Sequence, residues 1–176
     1  YLIQPEHYYK TNRIGLHLGA SVVDVDPQNK TVQLDNNERT SFDKLVLATG
    51  AKNFIPPIQG VHLPEVVALR QQPDFDKLKE MLADSPKRVV IIGGGLLGLE
   101  TAWALSRQDH QVTVLEAGPT ILPRQLDADC APMLEAHIQT SAVTVKHGVF
   151  VDEISGHDHV IGVKTRKADI IHCDLV

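Results

Sequence analysis

No apolar run in this chain is long enough to cross a bilayer. The longest, Val89 to Leu99, is interrupted by four glycines and falls short of the roughly 20 residues a membrane helix needs. An excess of basic charge is missing too. Lys and Arg number 17 against 22 Asp and Glu, a net charge of −5, and the nine histidines are scattered, so there is no cationic face for nucleic acid or anionic lipid. Cysteine is confined to Cys130 and Cys173, far apart and in no C-x-x-C spacing, which excludes a disulfide framework and a local redox pair. Both read as small packing or surface residues. With no signal-like N-terminus, a reducing, cytoplasmic setting is the expectation. Low-complexity segments and internal repeats are absent as well. What remains, 43% hydrophobic and 22% charged over 176 residues, is the composition of a globular chain with room for one sizeable domain or two small ones.

One segment stands out from that background. Arg88-Val89-Val90-Ile91-Ile92 reads as a buried strand, and Gly93-Gly94-Gly95-Leu96-Leu97-Gly98 as a glycine turn that opens a helix. This arrangement suits a dinucleotide pyrophosphate. Gly93 allows the tight turn, Gly95 keeps a Cβ out of the phosphates' way, and Gly98 lets the helix lie close on the strand. Gly94, Leu96 and Leu97 complete the lining, and the anion meets the helix's free N–H groups. A glycine pattern alone is weak evidence, so its flanks matter. Gln111-Val112-Thr113-Val114-Leu115-Glu116 reads as a second strand ending in an acid, and Glu116 follows Gly95 by 21 residues. That is close to the spacing of about 20 at which a carboxylate meets the ribose hydroxyls of NAD. No basic residue stands in Ala117-Gly118-Pro119-Thr120, which favours NADH over NADPH; Arg124 is the nearest cation. Gly98, Ala102 and Leu105 recur at helical spacing as a narrow face for close packing, and Trp103 reads as packing rather than as a platform for a base.

The remaining elements frame this unit. A short helix is expected around Pro5 to Lys10 and a strand over Ile14 to Leu18. Strands over Ala20 to Asp26 and Lys30 to Leu34 flank the polar turn Asp26-Pro27-Gln28-Asn29. Phe42 to Gly50 is apolar on both faces and predicts a buried parallel strand. The Pro- and Gly-containing stretch Phe54 to Pro64 reads as an extended linker, with the domain boundary there. A helix over Pro73 to Ala83 leads into the Arg88 strand. A further helix is expected with Asp129 as N-cap and Pro132 in its first turn. Val143-Thr144-Val145 predicts a third parallel strand, and Phe150 to Ile154, Val160 to Thr165 and Ile170 to His172 predict antiparallel strands. The sum is an α/β fold containing half of a doubly wound, Rossmann-type sheet. His157-Asp158-His159 reads as a solvated turn, because two histidines two apart lack the further ligands a zinc site needs; no metal is expected.

Taken in order, several segments resemble the FAD-dependent pyridine nucleotide-disulfide oxidoreductases, especially the branch of rubredoxin reductases and NADH-dependent nitrite reductase large subunits. They are Tyr8-Tyr9 with Ile14-Gly15-Leu16, the hairpin from Val22 to Leu34, Phe42 through Ala48-Thr49-Gly50-Ala51, and Ile55-Pro56-Pro57-Ile58 with Gly60. Gly93 to Glu100, Gln125-Leu126-Asp127 and Cys173-Asp174-Leu175-Val176 complete the match. Asn53 departs from the pattern, which usually has proline there.

The resemblance implies an FAD domain interrupted by an NAD(P)H domain. It assigns residues 1–66 to a partial FAD-domain segment, a β-meander plus the buried strand ending in Ala48, Thr49 and Gly50 beside FAD, and residues 67–176 to the NAD(P)H-binding domain. Family members carry a further glycine turn for FAD upstream and a further FAD segment downstream, so the chain reads as an internal fragment that retains no FAD and is inactive alone. The implied activity of the intact parent is hydride transfer from NADH to FAD, then electron delivery to an acceptor such as a redox protein or a fused redox domain. An NADH oxidase or a disulfide reductase is the alternative for the parent, and a nucleotide-binding module without turnover is the alternative for the chain itself. Glu100 corresponds to a family acid near the nicotinamide and flavin rings; equally, it reads as a carboxylate favouring a helix N-terminus.

Overall fold

A three-stranded parallel sheet underlies the glycine turn in the computed structural model, which describes residues 4–176. The chain divides into two compact units, Tyr1–Gly50 and Ala51–Val176. The expected boundary at 66/67 does not coincide with this division. The stretch Phe54 to Pro64, read from the sequence as linker, belongs with residues 65–67 to the second unit. Ile154 N–H donates to the Gln59 carbonyl at 2.8 Å, Val67 N–H to that of Val176 at 2.9 Å, and Leu63 is buried.

In the first unit, α1 (Glu6–Thr11) precedes an antiparallel meander of β1 (Val22–Asp26), β2 (Thr31–Leu34) and β3 (Arg39–Ser41). Asp26 closes the first hairpin: Oδ1 accepts the N–H groups of Gln28 and Asn29, and Oδ2 accepts Asn29 Nδ2. These bonds, those from Asn29 foremost, hold its carboxyl below the ordinary carboxylate range. Two expectations are corrected here. Ile14 to Leu18 forms no strand, and neither does Phe42 to Gly50. Val46 is 85% and Leu47 73% exposed. An extended segment becomes a strand only when a neighbour takes its N–H and C=O groups; Phe42 N–H donates to the Lys30 carbonyl at 2.9 Å, but residues 43–50 join no strand ladder among the described residues. Conversely, β3 is polar, fully exposed and unheralded by alternation; its pairing with β2, Val32 opposite Thr40, creates it.

The second unit is built around β4 (Arg88–Ile92), β5 (Gln111–Glu116) and β6 (Val143–His147), parallel and in that spatial order. At the other edge of β4, Leu175 bridges Val89 in parallel, with Val90 N–H donating to the Leu175 carbonyl at 2.9 Å. The chain thus winds outward from β4 through β5 and β6, then returns to the opposite side of β4. The strand order reverses at β4, and open α/β sheets bind ligands outside the carboxyl ends of the strands at such a point.

Alternate residues of these strands enter two different cores. Val89, Val112, Val114 and Leu175 join Leu78 of α2 (Gln72–Met81) and Leu99, Ala102 and Leu105 of α3 (Leu96–Ser106), with Leu134 and Ile138 of α4 (Cys130–Ile138) packed alongside. Val90 and Leu115 point the other way. They meet Ile154, Val160 and Val163 from the antiparallel sheet of β7 (Val151–Gly156), β8 (Val160–Thr165) and β9 (Ile170–His172), and Cys173 just beyond it. Helices therefore cover one face of the parallel sheet and a second sheet covers the other.

Local chemistry sets the helix starts. Asp74 accepts the Gln71 N–H at 2.8 Å, a capping box that opens α2. Asp129 occupies the N-cap position of α4 without a side-chain cap bond. Its neighbour Asp127 does the capping, with Oδ1 accepting Cys130 N–H at 2.8 Å and Asp129 N–H at 3.1 Å. Those bonds lower the Asp127 carboxyl, the Cys130 contact most. Asn53, where the family pattern has proline, donates through Nδ2 to the Ala68 carbonyl at 2.7 Å. A side-chain tether thus replaces the restraint of a fixed ring.

Candidate functional site

The site grows out of the carboxyl end of β4. Gly93 sits at φ +114, a conformation that glycine adopts without steric cost, and its N–H donates to the Leu115 carbonyl at 2.8 Å. Gly94 is buried; its N–H donates to Glu116 Oε2 at 2.7 Å, and its carbonyl accepts Leu122 N–H at 3.1 Å. Gly95 is the N-cap of α3 and offers no side-chain cap. A Cβ placed there would meet nothing within 4 Å, so the space above it is open. Leu96 and Leu97 are 53% and 63% exposed, and the first-turn N–H groups of a helix have no intrahelical partner. Gly98 differs from Gly95 in kind. A Cβ there would run into the Gly93 carbonyl oxygen and lie 3.3 Å from Ile91 Cγ2, so its smallness lets α3 seat on β4. The two glycines, alike in sequence, thus stand in different surroundings, Gly95 facing open space and Gly98 pressed against backbone.

Glu116 ends β5 half-buried. Its other oxygen, Oε1, accepts the Gly118 N–H at 2.6 Å. Each carboxylate oxygen has spent one acceptor site on the backbone and keeps a second free. The loop beyond it is laced to the end of β6: Val149 N–H donates to the Glu116 carbonyl at 3.0 Å and Gly148 N–H to that of Gly118 at 3.1 Å. Gly148 adopts φ +63. Beside Glu116 in the strand register stands His147, whose Nε2 lies 2.9 Å from Glu135 Oε1. Gly118 and Gly148 were missed in the sequence. Their only signal there is glycine just after a strand end, which is too common to single out.

One apolar hollow borders the turn and a second lies further along α3. A crevice of about 240 Å³ lies at the switch point between β4 and residues 175–176, with Phe54, Ile55, Ile92, Leu97 and Gly98 among its walls. A groove of about 580 Å³ runs between α2 and α3, and Glu100 lines it with Phe75, Lys79, Thr101 and Gln108. Glu100 lies beyond the first turn of α3, which contains no acid, so it does not serve the helix N-terminus; it is exposed at the groove. Trp103 is not core either. It is 43% exposed, with its ring stacked on His137 at 6.1 Å and Arg107 at 5.8 Å. His157-Asp158-His159 forms the bend between β7 and β8, and no cluster of three or more metal-ligating side chains occurs among the described residues. In the first unit Ala48, Thr49 and Gly50 are exposed and outside any strand or helix, with Gly50 in the left-handed region at φ +71. No helix among the described residues is long and apolar enough to cross a membrane.

Residues 5–176 match the family described as pyridine nucleotide-disulphide oxidoreductase. The chain is 37% identical over 171 residues to an NAD(P)H nitrite reductase of Bacillus subtilis, covering 96% of this chain and 21% of that protein. It is 31% identical over 175 residues to a rubredoxin-NAD(+) reductase of Pseudomonas putida, covering 99% and 45%. Among solved structures, a ferredoxin reductase from Rhodopseudomonas palustris superimposes with a TM-score of 0.89 at 28% identity, over 99% of this chain and 43% of that one. The chain spans less than half the length of these relatives.

Proposed function

This chain belongs to the pyridine nucleotide-disulphide oxidoreductases, and on that premise we propose that its second unit binds NADH across Gly93 to Gly98 as the nicotinamide-cofactor part of an FAD-dependent oxidoreductase. The observation that carries the reading is the open space at Gly95, over a helix start without a side-chain cap, at the strand-order reversal. A pyrophosphate needs that combination: room for its oxygens, free N–H donors and the positive end of a helix. The chain's own residues divide the work. Gly94, Gly95, Leu96 and Leu97 line the pyrophosphate, Gly98 lets α3 approach β4, and Glu116 offers its remaining acceptor sites to the adenosine ribose.

When bound, a nicotinamide cofactor would supply the hydride chemistry and a flavin would be its acceptor, while the chain's own residues would hold and orient the nucleotide. Placement of Glu100, exposed on the α2–α3 groove, near the reacting rings rests on the family resemblance. Assignment of Ala48, Thr49 and Gly50 to FAD rests on the family resemblance. Their exposure favours a second reading for the chain by itself, a nucleotide-binding module without turnover and without retained flavin. For the parent we propose delivery of electrons to a redox protein or fused redox domain, of the nitrite-reductase or rubredoxin type, in the cytoplasm. Neither nucleic acid nor a membrane is a partner in this reading. Calorimetric titration tests it: NADH binding that exceeds NADPH binding supports the assignment, and no NADH binding removes it.

A further inference from the structure

We infer that Gly118 is a specificity-positioning residue, holding the Glu116 carboxylate in the orientation that separates NADH from NADPH. The inference rests on the NADH reading above and concerns a residue to which that reading gives no role. The carboxylate is gripped from two sides. Gly94 N–H reaches Oε2 at 2.7 Å from the turn, and Gly118 N–H reaches Oε1 at 2.6 Å from the following loop. N–H groups donating to a charged oxygen make strong hydrogen bonds, and two of them on different oxygens fix the rotation of the carboxylate plane as well as its position.

The grip is also sterically tight. A Cβ on Gly118 would lie 3.0 Å from Glu116 Oε1, and one on Gly94 would lie 3.1 Å from Oε2. A side chain at either position requires the carboxylate to shift by a few tenths of an ångström, which disturbs its alignment. The Gly118 end does not drift, because its carbonyl accepts Gly148 N–H at 3.1 Å while the Glu116 carbonyl accepts Val149 N–H at 3.0 Å. Loop and strand end are therefore stitched to the β6–β7 connection, and the Gly118 N–H arrives at the carboxylate already aimed. A fixed carboxylate accepts from ribose hydroxyls at no reorganisation cost and meets a 2′-phosphate with like charge that cannot swing aside. A loosened one does both jobs worse.

The test compares NADH and NADPH binding by calorimetry for the unaltered chain, Gly118→Ala, Glu116→Ala and the double variant, with a thermal melt of each. Gly118→Ala is expected to keep its melting temperature within a few degrees and to narrow the NADH preference by about threefold to tenfold, the value of one weakened hydrogen bond. In the Glu116→Ala background the same change is expected to leave the ratio alone, because the group it positions is gone; the double variant also relieves the steric conflict, so it folds even if the single one does not. An unchanged ratio in Gly118→Ala while Glu116→Ala narrows it overturns the positioning role. Narrowing by Gly118→Ala that persists in the Glu116→Ala background overturns it too, by showing a different route. If Glu116→Ala leaves the ratio unchanged, the ribose assignment itself fails.

Discussion

Gly98 sits so close to the Gly93 carbonyl oxygen that a Cβ on it would collide with the backbone, whereas Gly95, three residues earlier, faces empty space. One pattern of glycines thus combines a packing requirement with a ligand requirement, and the two can be separated by mutation. Gly98→Val is expected to destabilise the fold by more than the about 1–3 kcal/mol typical of overpacking, because the obstacle is backbone. Gly95→Val is expected to melt near the unaltered temperature and to bind no NADH. Paired melts and titrations read both; wild-type affinity in Gly95→Val would mean that the pyrophosphate does not cross this turn.

The purified chain is expected to be colourless. Ala48, Thr49 and Gly50 are exposed, and a segment that makes so few contacts cannot offset the entropy a large ligand loses on binding. A desalted sample with flavin absorption near one equivalent would contradict this.

Asp174 couples stability to pH. It accepts Arg88 Nη2 at 2.6 Å, Arg88 Nε at 3.2 Å and the Arg88 backbone N–H at 2.8 Å. The Arg88 side chain is the main reason its carboxyl lies below the ordinary carboxylate range. A lowered carboxyl contributes stability above its unfolded value near 4 and loses it as pH falls through the folded one. Asp174→Asn should therefore cost about 0.5–1 kcal/mol at neutral pH, discounted for solvent screening of a part-exposed pair, and nothing in strong acid. Denaturant melts at pH 7 and pH 2 decide it; an equal cost at both pH values would show that the charge plays no part.

The two thiols should react at very different rates. Burial is the first cause that raises Cys173 to about 11, with Asp174 adding to it, whereas Cys130 is exposed. Since the thiolate is the reactive form, a thiol reagent at pH 8 is expected to label Cys130 alone until denaturant is added. Two fast equivalents in the native chain would refute the burial of Cys173.

Replacing Asn53 by Ala removes the donor to the Ala68 carbonyl. The loop 51–57 should then become cleavable by a protease of broad specificity, and Asn53→Pro should restore resistance. Equal cleavage of all three forms would show that the side chain does not stiffen the segment.

The unit from Arg88 to Glu116 was legible in the sequence because its signals are local. A strand with four successive apolar residues, a glycine turn, a helix with small residues on one face and an acid at the next strand end all lie within one continuous stretch. Asp127 and Asp129 show the limit of that reading. Both precede α4, either could cap it, and only the side-chain geometry shows that Asp127 does so. Phe42 to Gly50 failed for a deeper reason. Its apolar residues satisfy every local rule for a strand, but a strand requires a partner, and that information is not in the segment. The same principle worked in reverse for β3, which alternation did not announce and pairing with β2 produced. Gly118 and Gly148 were illegible because their roles depend on a hydrogen bond between loops about thirty residues apart.

The division of β4 between two cores has a consequence for how this sequence can change length. Val89 feeds the helical layer and Val90 the sheet layer, so deleting one residue from the strand would exchange both sets of side chains at once and rotate the glycine turn away from Glu116. Substitution at one of these positions disturbs a single layer; a shift of frame disturbs both layers and the site together. Insertions and deletions should therefore be tolerated at the exposed bend 157–159, which touches neither layer, and be lethal to folding anywhere between Arg88 and Gly93.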